Sequence, residues 1–158
     1  MEEIIQLNSG AKLSPHFTLG EMTKSSSHPE VYNIPSHEAI ANLKRVCGWL
    51  EVLRKRYNEK YGVGEEPVRI NSGYRSPQLN KAIHGNANSN HMTGCAADLR
   101  VSGMEQALRY AVILMDYADE SKQEFDELLI EKNRYGAIWL HFAVRPANNR
   151  RKILFINA

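Results

Sequence analysis

Ile40, Leu43, Cys47, Leu50, Leu53 and Tyr57 recur at steps of three or four residues, the repeat of an α-helix. No other stretch of the chain is as regular over such a length, and the rest of the fold has to be arranged against this apolar stripe. Pro35 suits a helix start and Ser36 suits the cap. Around the helix the patterning is mixed. Val68-Arg69-Ile70-Asn71 alternates like a short strand, and residues 72–90 read as a loop rich in Gly, Pro and Asn. Ala96 to Val101 reads as a second strand. Ser102 and Glu105 have the spacing of a capping box, and Leu108, Val112 and Met115 mark a helix behind it that runs to about Asp119. Phe125–Glu131, Ala137–Val144 and Lys152–Ile156 read as three more strands. An order of helix, strands, helix, strands predicts an α+β fold with a mainly antiparallel sheet flanked by helices.

The 158 residues are enough for a single domain that buries its own core. Residues 1–35 are broken up by Pro15, Pro29, Pro35 and the run Ser25-Ser26-Ser27, and read as an irregular arm. Phe17, Leu19, Met22, Val31, Tyr32 and Ile34 make that arm too apolar for a free tail, so it is expected to pack on the core. A net charge of +2 is too mild to argue for nucleic acid. No apolar run approaches the roughly 20 residues of a membrane helix. No basic-then-apolar leader opens the chain, which predicts either a protein made without a signal peptide or one exported with a leader not included here. Cys47 and Cys95 are far apart and form no Cys-x-x-Cys pair, so both are expected as free thiols, with Cys95 a small buried residue. A monomer is the default expectation.

Chemistry concentrates in residues 89–98, Ser-Asn-His-Met-Thr-Gly-Cys-Ala-Ala-Asp. Six residues separate His91 from Asp98, too many for one helical face but suited to a histidine on a loop and a carboxylate on the strand that follows. Gly94 frees the turn between them. In Trp139-Leu140-His141-Phe142, alternation puts Trp139 and His141 on one face of a strand and the greasier residues on the other. Two histidines and an aspartate are ordinary zinc ligands, and three protein ligands leave a fourth position open for catalysis. The same residues also fit a core histidine or a metal-free His–Asp hydrogen bond. Arg75, in a turn bounded by Gly73 and Pro77, offers a fixed cationic fork for a substrate carboxylate or a developing oxyanion, or else for a surface carboxylate.

Together, Ser-Gly-Tyr-Arg-Ser-Pro at 72–77, Asn80, Ser-x-His-x-x-Gly-x-x-x-Asp at 89–98 and Trp-x-His at 139–141 resemble the zinc D-Ala-D-Ala carboxypeptidase family, in particular its compact bacterial and phage branch. The resemblance runs from about Phe17 to Val144. It implies the Hedgehog/DD-peptidase fold, shared with the signalling domain of Hedgehog proteins. It implies one Zn2+ held by His91, Asp98 and His141, with Arg75 at the substrate carbonyl or carboxylate and Ser89 and Tyr74 on the substrate side. The implied activity is hydrolysis of peptide bonds in bacterial peptidoglycan, commonly next to a D-amino acid, as a carboxypeptidase or a phage endolysin. The implied location is the cytoplasm until release for a phage-type protein, or outside the cell with a leader.

Many members of this family carry an acidic general base three residues before the last histidine, where this chain has Ile138. Glu131, at the end of the preceding strand, is the candidate base here, and Glu127, on the same strand face, is the reserve. A relative that binds zinc and a cell-wall peptide or protein partner without cutting is the alternative reading, and a metal-free structural domain of a phage particle is a third. Arg145, Arg150, Arg151 and Lys152 form a basic patch, read as a solvated hairpin or as a contact for an anionic polymer. His16, His28, His37 and His84 lack ligand spacing, and only His84 is near enough in sequence to reach a substrate.

Overall fold

Ser36 caps the long helix as its position predicts: its hydroxyl accepts from the Ala39 N–H at 3.1 Å. A computed structural model describes residues 8–25 and 27–157. Residues 1–7, including the acidic start of the expected arm, and Ser26 of the serine run lie outside the described part. The helix, α2, spans His37–Tyr61 and buries Leu43, Val46, Cys47, Leu50, Leu53 and Tyr57. Before it come β1 (Lys12–Ser14), β2 (Phe17–Thr18) and α1 (Leu19–Thr23). After it come β3 (Ile70–Ser72), α3 (Pro77–Ala82), a 3₁₀ turn at Asn90–Thr93, β4 (Ala96–Arg100) and α4 (Met104–Ser121). The strands β5 (Glu127–Lys132), β6 (Ile138–Ala143) and β7 (Lys152–Asn157) complete the order.

The fold is α+β. Five strands form one sheet in the order β3-β4-β6-β5-β7. The neighbouring pairs are antiparallel except β5–β7, which is parallel, so the sheet is mixed although mainly antiparallel. The parallel pair follows from the connection. The chain leaves β6, crosses to the free side of β5 through residues 144–151, and enters β7 running the same way as β5. One face of the sheet carries Ala97, Leu99, Leu128, Leu140 and Phe142 into an apolar cluster with α2, α4 and the arm. By alternation, the opposite face carries Asp98, Glu127, Leu129, Glu131 and His141. No helix among the described residues is long and apolar enough to cross a membrane.

Four local expectations change. The arm is not irregular throughout: β1 and β2 pair, and Thr18 and Glu21 form a capping box that starts α1, whose Leu19 and Met22 are buried along with Phe17. The stretch read as loop holds α3, capped by Ser76 with Pro77 at its first turn, because a cap and a proline suffice to start a helix this short. The capping box expected at Ser102 does not form. Gly103 takes the cap position, and Gln106 reaches back to the Ser102 N–H at 2.7 Å, in place of the Glu105 side chain. On α4, Leu108 and Val112 are about half exposed, and the buried stripe is Ala107, Tyr110, Ala111, Leu114 and Ala118. Ile113 is buried with them, so the buried stripe mixes alanines with larger side chains and lies one position away from the Leu108–Val112 line.

Gly94 ends the 3₁₀ turn at φ +77°, and a Cβ there would run into the Ala39 carbonyl oxygen at the start of α2. The turn between His91 and Asp98 is therefore seated directly on the long helix. Gly94→Ala is expected to cost about 2–4 kcal/mol from the left-handed backbone and the clash together, measured by urea unfolding. A variant as stable as the parent would show that this contact relaxes freely.

Candidate metal centre

Register across β4 and β6 places Asp98 directly opposite His141. The 3₁₀ turn before β4 folds His91 onto the same spot, with the two imidazole centroids 5.1 Å apart. One ligand atom from each of His91, Asp98 and His141 lies within 4.8 Å of the others, and all three residues are buried. His91 Nδ1 donates to the Gly73 carbonyl at 2.6 Å. That proton leaves Nε2 with a lone pair, 3.3 Å from Asp98 Oδ1, buried and without a hydrogen-bond partner among the described residues. A buried acceptor nitrogen left unpaired is costly in a core. Beside a carboxylate and a second imidazole it is the donor set of a zinc site, so the residues present fit the ion.

Gly73 matters through its backbone. A side chain there would strike the Met22 carbonyl, and the Tyr74 N–H donates to that same carbonyl at 2.7 Å. The close approach of this turn to α1 holds the Gly73 carbonyl where His91 needs it. The Tyr74 side chain packs in the core, 7% exposed, and is not among the residues lining the cleft. Ser89 caps the 3₁₀ turn, accepting from the His91 N–H at 3.1 Å, and lies on the cleft wall. His84 does not line the cleft.

The cleft over the triad has a volume of about 310 Å³ and is bounded by Arg75, Ser89, Asn90, Glu127, Glu131 and Lys152 among others. Arg75 reaches in from the turn after β3. Its Nη2 lies 3.2 Å from Asp98 Oδ2, and its Nε donates to Ser72 Oγ at 3.1 Å. Burial lowers the guanidinium pKa, and Asp98 and Glu131 oppose that shift. A second cleft of about 540 Å³ shares the Asn88-Ser89-Asn90 wall and continues toward Arg145.

The charged groups are pulled in different directions. Burial raises Asp98, but the two histidines overcome it and hold the carboxyl well below the usual aspartate range. For His141, burial acts downward, and hydrogen bonds to Asp98 and Glu127 at 3.0 Å each outweigh it, lifting the imidazole to about 10. The two glutamates of β5 separate. The His141 hydrogen bond draws Glu127 down to about 2 against burial. Glu131 is pushed up, by burial first and by the Asp98 charge second.

Two side chains of the site went unnoticed in the sequence. Asn90 reads as a spacer between Ser89 and His91. Its Nδ2 donates to Asp126 Oδ2 at 2.8 Å and to Glu127 Oε1 at 2.6 Å, and its Oδ1 accepts from Arg145 Nε at 2.9 Å. Asp126 is 0% exposed and takes three hydrogen bonds from Arg150. A carboxylate beginning an apolar strand, in Phe125-Asp126-Glu127, was the available signal. The basic patch resolves accordingly: Arg145 and Arg150 pair with Asp126, and Arg151 pairs with Asp119 at 2.6 Å and Glu124 at 3.2 Å. Cys47 and Cys95 are free and buried.

Asp126 carries a prediction. Burial raises its pKa, and Arg150 and Asn90 prevail, lowering it from 3.8 to about 2. A depressed carboxyl stabilises the fold above its unfolded pKa and loses that contribution as pH falls through the folded one. Asp126→Asn is expected to cost about 2 kcal/mol at pH 7, with the difference from the parent closing between about pH 4 and pH 2. Urea unfolding across that range checks it, and a gap that does not change with pH would rule out the charge as the cause.

Two histidines and an aspartate converge at the floor of a cleft, with glutamates and an arginine on its walls, a grouping that could hold a metal ion. The chain belongs to the Peptidase M15 family, which it matches over residues 15–125. It is 30% identical over 97 residues to a zinc D-Ala-D-Ala carboxypeptidase of Streptomyces albus G, a match covering 61% of this chain and 36% of that protein. The chain therefore spans well under half the length of that relative. The family match contains Arg75, His91 and Asp98. Glu131 and His141 lie beyond it and reach the site through the register of β5 and β6.

Proposed function

We propose that this chain is a zinc-dependent peptidase that hydrolyses peptide bonds of bacterial peptidoglycan next to a D-amino acid. The observation that carries the reading is the buried, unpartnered His91 Nε2 facing Asp98 and His141. Family membership and the name of the Streptomyces protein support zinc and the cell-wall substrate. His91, Asp98 and His141 would hold the ion. A bound zinc supplies polarisation of the scissile carbonyl and a lowered pKa for the attacking water.

The remaining chemistry belongs to the protein. Glu131, with its raised pKa, takes the proton of the attacking water and passes it to the leaving amine. Arg75 donates to the carbonyl oxygen as negative charge develops, already anchored on Asp98 and Ser72. Asn88, Ser89 and Asn90 line both clefts, so the second cleft offers room for a peptide that extends beyond the triad. We take residues 1–158 as one domain, a reading supported by one apolar cluster among the described residues that runs from Phe17 to Val144.

Zinc-loaded protein incubated with muropeptides that end in D-Ala-D-Ala tests this, with products followed by mass spectrometry. Loss of a terminal D-alanine or scission of a cross-link is the expected result. A protein that holds one zinc and leaves every muropeptide intact would favour the second reading, a zinc-containing binding module. The apolar Ile138 three residues before His141 is what recommends that reading.

A further inference from the structure

Each imidazole in the triad has two nitrogens, and a metal ligand spends only one. What the other nitrogen bonds to decides the tautomer and the aim of the ring. For His91 the second nitrogen is satisfied by the Gly73 carbonyl at 2.6 Å. For His141 it is satisfied by a side chain: Nε2 lies 3.0 Å from Glu127 Oε1, while Nδ1 faces Asp98 Oδ1 at 3.0 Å. The two residues meet diagonally across the strands. Glu127 is opposite Ala143, and His141 is opposite Leu129. The small Ala143 side chain leaves the space in which carboxylate and imidazole come together.

Glu127 is itself held. Its Oε1 also accepts from Asn90 Nδ2 at 2.6 Å, and its Oε2 lies 3.6 Å from Arg150 Nη2. Asn90 is fixed in turn by Arg145 and by the buried Asp126, which Arg150 grips. The crossover of residues 144–151 is thus tied through Asp126, Asn90 and Glu127 to the imidazole of His141. A carboxylate engaged by two donors on one oxygen and facing a guanidinium with the other is placed to hold a ring, and poorly placed to collect a proton from water.

We propose that Glu127 is a positioning residue: it accepts the Nε2–H of His141 and holds that proton on Nε2, so that Nδ1, beside Asp98 and His91, is the nitrogen that gives up its proton for the metal. This rests on His141 being a ligand, the reading given above.

The test compares the full-length parent with Glu127→Ala, Glu127→Gln and His91→Ala. Zinc dissociation constants are measured at pH 7.5 by competition with a chelator. Removing the outer partner of a metal-bound histidine costs about 10- to 100-fold in metal affinity, and Glu127→Ala is expected to lose that much. Glu127→Gln keeps a carbonyl oxygen for the Nε2–H and is expected to recover most of the loss. Long-range ¹H–¹⁵N spectra of the zinc-loaded parent are expected to show His141 protonated at Nε2, a readout that does not depend on whether the alanine variant folds. An Nδ1–H tautomer, parent-like affinity in Glu127→Ala, or equal losses in Ala and Gln would each overturn the proposal while zinc is still lost in His91→Ala. A parent protein that takes up no zinc would overturn the metal reading, and this proposal with it.

Discussion

Replacing His91 or His141 with alanine is expected to abolish stoichiometric zinc binding and muropeptide hydrolysis together. Binding energies of zinc sites with four protein ligands correspond to about 2.5–4 kcal/mol per ligand, so the loss of one weakens binding by about 60- to 700-fold. The two variants are expected to differ without metal. His91→Ala removes packing, the bond to Gly73 and one of the two imidazoles that lower Asp98, while His141 still bridges Asp98 and Glu127. His141→Ala leaves Asp98 and Glu127 facing each other across the site without the imidazole between them. Metal-free His141→Ala is therefore expected to be less stable than metal-free His91→Ala at neutral pH, by about 2–4 kcal/mol. Zinc analysis after dialysis, with urea unfolding of the metal-free proteins, measures both effects. Retention of one tightly held zinc per chain in either variant would remove that histidine from the ligand set.

Glu131→Gln is expected to keep zinc at parent affinity and to lose about 100- to 10,000-fold in kcat, the range a general base contributes. The substitution preserves shape and removes only the ability to take a proton. The choice of Glu131 over Glu127 rests on their different surroundings along one strand. The two lie on the same face of β5, four residues apart. Glu127 is drawn down to about 2 by its bond to His141, which makes it a poor base. Glu131 is raised by burial and by Asp98, toward the range where a carboxylate can take up and give back a proton. Kinetics on a defined muropeptide, with zinc content measured on the same sample, test the choice. A fully active Glu131→Gln protein would move the role elsewhere.

The strengths and failures of the sequence reading share one cause. The long helix was legible because Ile40 to Tyr57 repeat over many turns and Ser36 caps a pattern already present. The strands of the site were legible by alternation, which put His141 on the opposite face from Leu140 and Phe142. Local competition between caps was not legible. Ser102 and Glu105 satisfied the spacing of a capping box, yet Gln106 took the Ser102 N–H once Gly103 set the start of α4. Leu108 and Val112 carry the right period but face outward, because the same period also fits the stripe Ala107, Tyr110, Ala111, Leu114 and Ala118, and packing against the rest of the fold decides which stripe is buried.

By itself the sequence determined which residue types stand at the proposed ligand positions, and the repeat that makes α2 a helix and β6 a strand, since both are properties of neighbours along the chain. It also sufficed to read Glu131 and Glu127 as the two candidate carboxylates. Only the tertiary structure decided what each nitrogen and oxygen of the site bonds to. The Gly73 carbonyl under His91, the Glu127 carboxylate on His141, the burial of Tyr74 in the core and the anchoring of Asn90 on Asp126 all join residues from separate elements. Hydrogen bonds depend on distances of a few tenths of an ångström between groups far apart in sequence, and those distances are set by strand register and helix seating.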